Sequence, residues 1–232
     1  MTNDHSMFFG AIGDLHGDFD ALDRIMGRHS EVTIWLCPGD LASDGGEYPR
    51  PRAPLYWIKG NNEDFDFVAA QPAGTGTIPR LHYIPNGASV TAGGVHVAGL
   101  GGTFAPTWYD RSSDELAAAA AKRDDKRRHF LHAEVEACRK LRGIDVFLSH
   151  EAARPFPLET ARASGVARRI DAGKTPINEI LTAMRPRLHL FGHHHKYSVG
   201  ERQGVLSIGL DMASESYLII DGKTLAHEHM KT

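Results

Sequence analysis

Short apolar runs alternate with polar breaks along this chain, and several runs stop at a residue able to bind a cation. Residues 8–13 read as a buried strand ending at Asp14. Phe19, Leu22, Ile25 and Met26 follow at helical spacing. Residues 32–37 predict a second strand, ending at Pro38-Gly39-Asp40, and residues 55–58 a third, ending at Gly60-Asn61. The recurrence of strand, polar residue and helix predicts a layered α/β domain with functional side chains on loops at the strand ends.

Further along the pattern changes. Residues 81–84, 89–91 and 95–100 read as short strands separated by Pro-Asn-Gly and Gly-Gly turns, which predicts antiparallel pairing. Residues 112–142 predict one or two helices, with an alanine run at 117–121 and a charged stretch at 122–128. Residues 144–148 form a buried strand delivering His150, and residues 188–191 one presenting His193 and His195. Between them Thr175-Pro176 reads as an N-cap followed by proline at the first helical position, with the helix running to about Met184. The C-terminal strands, at 197–199, 205–208, 217–220 and 225–227, read as a β-meander. The expected architecture is an α/β, four-layer αββα sandwich of two mixed β-sheets, face to face and flanked by helices.

A length of 232 residues predicts one domain, 1–232, with a helical insertion at about 112–142. The 26 basic and 29 acidic side chains nearly cancel, so global charge makes no case for a nucleic-acid or membrane partner. Cys37 and Cys138 supply neither a disulfide framework nor a Cys-x-x-Cys zinc pattern. The polar N-terminus and the short apolar run after it do not make a signal peptide, and no stretch is long enough to span a bilayer. The expected location is cytoplasmic, with no obligate protein partner evident.

Histidine is abundant, at 14 residues. Asp14 with His16, and His193 with His195, each place two potential ligands two residues apart, which an extended strand end projects to one side. With Asp40, Asn61 and His150 between them, the set of seven is enough for two metal ions sharing one carboxylate. Imidazole and carboxylate ligands without thiolate suit Mn, Fe, Ni or Zn, with Mn favoured. Two such ions about 3.5–4 Å apart can hold a hydroxide and a phosphoryl oxygen together. No protein nucleophile is evident: there is no Cys-x5-Arg loop and no Gly-x-Ser-x-Gly elbow.

The order Asp-x-His, Gly-Asp, Gly-Asn, His, Gly-His-x-His, running from Gly13 to His195, resembles the calcineurin-like metallophosphoesterase superfamily. The resemblance implies that Asp14, His16 and His195 bind one divalent metal ion, that Asn61, His150 and His193 bind the other, and that Asp40 bridges them. It implies hydrolysis of a phosphate ester by a metal-bound hydroxide, with His150 and Asn62 at the reacting centre. Asn62 stands where many members carry a histidine that assists the leaving oxygen or the phosphate. Asparagine can donate a hydrogen bond but cannot deliver a proton, and branches lacking that histidine are often phosphodiesterases. The expected substrate is therefore a phosphodiester, in a nucleotide or nucleic acid. A phosphomonoesterase and a metal-binding, non-catalytic scaffold of the same fold are the alternatives. Asp44 lies four residues after Asp40, where many relatives have an aspartate at three, and the Asp-Arg-Gly of Ser/Thr protein phosphatases is missing.

A narrower similarity, carried by Gly99-Leu100-Gly101-Gly102, the aromatic insert Phe104, Trp108 and Tyr109, and residues 144–150, is to the RNA lariat-debranching branch, whose members cleave a 2′–5′ phosphodiester. That branch commonly keeps the histidine at the Asn62 position and has cysteine for the first aspartate, so the substrate is not carried over.

Arg111 and Arg154 are candidate phosphate clamps. Asp18 reads as a helix cap or a partner for His16, and His194 as pointing away from the ligands. Glu63 and Asp64 fit a first helical turn. The basic run 122–128, interrupted by Asp124 and Asp125, reads as a solvated helix face, and Trp108 and Tyr109 as core or base-stacking aromatics.

Overall fold

The computed structural model describes residues 8–72, 77–120, 124–160 and 168–232. The polar N-terminus, the last residue of the alanine run and the start of the 122–128 run lie outside these residues. The chain opens with β1 (Phe8–Ile12), α1 (Phe19–Arg28), β2 (Ile34–Cys37), β3 (Leu55–Trp57), α2 (Phe65–Ala70) and β4 (Leu81–Tyr83). Next come β5 (Ser89–Ala92), β6 (Val95–Leu100), α3 (Ser113–Ala120), a 3-10 turn at Asp124–Arg128, α4 (His132–Lys140) and β7 (Val146–Ser149). A small hairpin of β8 (Pro157–Thr160) and β9 (Arg168–Asp171) precedes α5 (Thr175–Met184) and β10 (Leu188–Phe191). β11 (Ser198–Arg202), β12 (Val205–Gly209), β13 (Ser216–Asp221) and β14 (His227–Lys231) complete the chain.

Two six-stranded sheets result, ordered β14-β13-β1-β2-β3-β4 and β11-β12-β10-β7-β6-β5. Their inner faces meet in one apolar layer, where Phe9, Ala11 and Leu36 of the first sheet join Val146, Leu148, Leu190 and Ile208 of the second. Leu22 and Ile25 of α1 cover the outer face of the first sheet against Trp35 and Trp57. Val135 of α4 and Ile177, Ile180 and Leu181 of α5 cover the second against Phe147. Each fully buried large apolar side chain in these layers contributes about 1.5–3 kcal/mol of transfer free energy. The central parallel strands are covered on both faces, which is why they read as unbroken apolar runs rather than as alternation. Gly10 makes one close approach possible: a Cβ there would lie 2.2 Å from the Trp35 ring.

Three sequence expectations change. β4 pairs parallel to β3 in the first sheet, not antiparallel with β5. The Pro85-Asn86-Gly87 turn is thus a crossing between sheets rather than a hairpin. The C-terminal meander divides the same way, with β11–β12 in one sheet and β13–β14 in the other. At α5 the N-cap is Lys174, which makes no side-chain cap, and Thr175 is already helical. Asp18 does cap α1, accepting from the Ala21 N–H at 3.0 Å.

Candidate metal centre

The ends of five strands converge on one edge of the sandwich. β1, β2 and β3 of the first sheet lead to Asp14 and His16, to Asp40, and to Asn61. β7 and β10 of the second lead to His150, and to His193 and His195. All seven candidate ligands come together.

Asp14, His16 and His195 form one group, and Asp40, His150 and His193 another; within each, the candidate ligand atoms lie within 4.8 Å of one another. His195 Nε2 is 3.0 Å from Asp14 Oδ2 and 3.1 Å from His16 Nε2. Asp40 Oδ2 lies between the groups, 3.8 Å from His16 Nε2 and 3.6 Å from His150 Nε2. Asn61 Oδ1 is 3.0 Å from His150 Nε2. Ring nitrogens and carboxylate oxygens facing one another across such gaps are a donor set that fits two divalent cations, with oxygen and nitrogen ligands only.

The aim of these groups comes from the backbone, and here the reason differs from the expected one. His16, Asp40, His193 and His195 have φ of 46°, 52°, 66° and 45°. They sit on left-handed turns beyond the strands, not on extended strand ends. Such torsions are disfavoured for residues with a Cβ and persist where neighbouring contacts over-determine them. Those contacts are present. Leu15 and His16 N–H groups both donate to Asp40 O at 2.9 Å. The His193 N–H donates to Asp14 Oδ2 at 2.9 Å. Two glycines leave room for the carboxylates: a Cβ at Gly60 would lie 1.9 Å from Asp40 Oδ1, and one at Gly192 2.2 Å from Asp14 Oδ1.

Electrostatics tie the groups together. Burial pushes the Asp14 carboxyl up, but the His195 ring, the His150 charge and the His193 N–H outweigh it and leave the pKa below the ordinary value. The same contact with Asp14 raises His195, against the effect of burial. Burial lowers His150, but the nearby Asp40 and Asp14 charges win and raise it. His193 goes the other way, to about 4, through burial and then His150. Anionic oxygens therefore favour positive charge at the heart of the cluster, whether a proton or a metal cation supplies it. His150 Nδ1 faces Pro38 O at 2.8 Å. A carbonyl only accepts, so Nδ1 carries the hydrogen and a neutral ring leaves a lone pair on Nε2, toward Asp40 and Asn61.

Several supporting residues were not anticipated. Glu63 is not in a first helical turn. It is half-buried beneath the loops, accepting from Leu41 N at 3.2 Å, Gly60 N at 3.1 Å and the Tyr48 hydroxyl at 2.9 Å. It thus links the loop carrying Asp40 to the loop carrying Asn61. Burial, and then the Asp40 charge, push its carboxyl up to about 7. The acidic residue two places after Asn61 was the available signal. Behind His150, the Ser149 hydroxyl donates to Glu151 O at 2.6 Å and accepts from His189 Nε2 at 2.7 Å. The other His189 nitrogen, Nδ1, accepts from the Ser207 hydroxyl at 3.1 Å. Burial, with a smaller effect of Arg202, holds His189 neutral, with a pKa of about 3. A polar residue inside the apolar Leu188-His189-Leu190-Phe191 strand was the sign of this network.

Other singled-out residues lie outside the two groups. Arg111 pairs with Glu115 at 2.9 Å and Arg154 with Asp171 at 2.7 Å. His194 packs on Phe156, with ring centroids 4.8 Å apart. Tyr109 packs edge-on against Phe104, in the layer under α4. The Cys37 thiol is buried against the Gly13 and Gly39 carbonyls, and burial raises its pKa well above the ordinary value. No helix among the described residues is long and apolar enough to cross a membrane.

Comparison with known proteins bears on family and fold. The lariat debranching enzyme of Schizosaccharomyces pombe is 24% identical over 200 residues, covering 77% of this chain and 41% of that protein. That of Drosophila melanogaster is 24% identical over 221 residues, covering 80% and 41%. The chain spans about two-fifths of the length of these relatives. Among solved structures, TT1561 of Thermus thermophilus superimposes with a TM-score of 0.64 at 13% identity, covering 97% of this chain and 99% of that one, a likeness of fold. The model of the calcineurin-like phosphoesterase family matches residues 7–197, the span that holds every candidate ligand. The chain belongs to the calcineurin-like phosphoesterase family.

Proposed function

We propose that this protein hydrolyses a phosphodiester with the help of two divalent cations. Asp14, His16 and His195 would hold one cation and Asn61, His150 and His193 the other, with Asp40 placed to serve both. When bound, the cations supply Lewis-acid charge and an activated water, so no side-chain nucleophile is required. The protein contributes placement. His150, fixed by Pro38 O, keeps Nε2 toward the centre. Asp40 is aimed by Asn62, and Asp14 by the His193 N–H.

The observation that carries the diester reading is Asn62. The residue after Asn61 has no titratable proton, and its side-chain amide donates to Asp40 Oδ2 at 3.2 Å. A site without an acid at this point suits the family branches that cleave diesters. Turnover of bis(p-nitrophenyl) phosphate against p-nitrophenyl phosphate, with added Mn²⁺ and metal analysis of the protein, is the test. Diester preference supports the reading. Monoester preference, or tight metal binding with no turnover, overturns it.

A further inference from the structure

Among the described residues, five buried side-chain nitrogen or oxygen atoms lack a hydrogen-bond partner, and two of them face each other beside the centre. Glu151 Oε2 and His194 Nε2 are 4.0 Å apart, on side chains only 3% and 9% exposed. Glu151 directly follows His150, and His194 stands between His193 and His195. Neither is among the seven candidate ligands.

The surroundings of both are braced. Glu151 Oε1 accepts from the Phe104 N–H at 3.1 Å, and the Glu151 carbonyl accepts from the Ser149 hydroxyl at 2.6 Å. Lys174 Nζ lies 3.5 Å from Glu151 Oε2, so the buried carboxylate keeps a countercharge. The Lys174 N–H donates to Ala152 O at 2.9 Å, which holds the lysine backbone against the same turn. The His194 ring touches two others, with centroids 4.8 Å from Phe156 and 4.9 Å from His193. His193 in turn packs on His150 at 4.8 Å. A line of contacts thus runs from Glu151 through His194 to two candidate ligands of the second group.

We propose that His194 and Glu151 are a positioning pair for His193: the His194 Nε2–H points at the Glu151 carboxylate, and the ring so fixed buttresses the His193 ring toward its cation. The inference rests on the two-cation reading above. A carboxylate oxygen and a ring nitrogen taken out of water are unfavourable unless each finds a partner, and an apolar residue at 194 would pack on Phe156 without that penalty. An ionised carboxylate only accepts, so the hydrogen of the facing ring belongs on Nε2. A shift of about 1 Å brings the two atoms to hydrogen-bond distance. Groups that orient a ligand in this way commonly govern metal affinity.

The test is calorimetric titration of the metal-free protein with Mn²⁺. The wild type takes two ions. In His194→Phe, which keeps a ring and loses the N–H, affinity for one ion falls about tenfold and affinity for the other is held. His194→Gln, whose amide still donates, recovers part of the loss. Glu151→Gln alone gives a similar loss, and combining it with His194→Phe adds no more, because the two side chains act through one contact. Thermal melts of the metal-free variants verify folding. Nitrogen-15 spectra of the histidine rings in the metal-free wild type give a second readout, with a hydrogen on Nε2 of His194, whose signal is identified by its loss in either variant at 194. A hydrogen on Nδ1 alone, unchanged affinities in His194→Phe, an equal loss at both ions, or losses that multiply in the double variant overturn the proposal. A wild type that takes fewer than two ions removes the two-cation reading, and the ring spectrum then decides the pair by itself.

Discussion

Asn62 holds Asp40 twice, its backbone N–H donating to Oδ1 at 2.8 Å and its side-chain amide to Oδ2 at 3.2 Å. The residue at the position of the missing histidine therefore orients the carboxylate that lies between the two candidate metal groups. Replacing it tests both roles. Asn62→His keeps the backbone bond and introduces a group that can protonate a leaving oxygen. Monoester turnover rises by about 10²-fold if the acid is limiting, read as kcat/KM on p-nitrophenyl phosphate. No gain in a folded, metal-loaded variant contradicts that role.

Asp40→Asn retains shape and removes the one anion between the groups. Metal content falls below two ions per chain and diester turnover falls by at least about 10²-fold. Elemental analysis after gel filtration reads the first and steady-state kinetics the second. Full occupancy with unchanged rate rules out the bridging role.

Because three strands of one sheet and two of the other feed the candidate centre, a cation held there as proposed would tie the sheets together. Chelation removes that link. At metal concentrations about a hundredfold above Kd, the link stabilises the fold by about 2.7 kcal/mol. The melting temperature of the loaded protein therefore exceeds that of the chelated protein by about 5–10 °C. Differential scanning calorimetry with and without chelator measures it, and coincident melts contradict a centre shared between sheets.

His189 makes the fold acid-sensitive. Its pKa is about 3 in the folded chain against 6.5 ordinarily, so the unfolded chain binds the extra proton between those values. Stability present above pH 6.5 is lost as pH falls through that window. Between about pH 7 and pH 5 the loss from this residue is about 2 kcal/mol. His189→Gln has no such titration, and the difference in its urea midpoint between those two pH values is correspondingly smaller. An unchanged difference excludes His189 as its source.

The ligand-bearing strands were legible because central parallel strands, buried on both faces, appear as apolar runs that stop abruptly, and Asp14, Asp40, Asn61 and His150 stand just past those stops. Sheet membership was not legible. Pro85-Asn86-Gly87 reads the same whether the chain turns back on itself or steps across to a second sheet, and only the pairing of Leu55 with Leu81 decides it. The stretch between Gly209 and Ser216 hid a second crossing for the same reason. The candidate ligands converge, but for a reason other than the spacing read from the sequence. Two residues apart means one side only on an extended strand, and His16 and His195 are on turns. Glu63 was hidden because an acid near a helix start has an ordinary explanation, which Asp64 in fact fulfils by capping α2.

The four left-handed ligand residues have a consequence for anyone redesigning this site. The anchor points of these candidate ligands are encoded in main-chain torsion. Exchanging a carboxylate for a longer or shorter one alters reach from a fixed anchor point while leaving the donor chemistry the same. Widening or narrowing the gap between the cations requires rebuilding the turns themselves, and with them the loop bracing that Glu63 supplies.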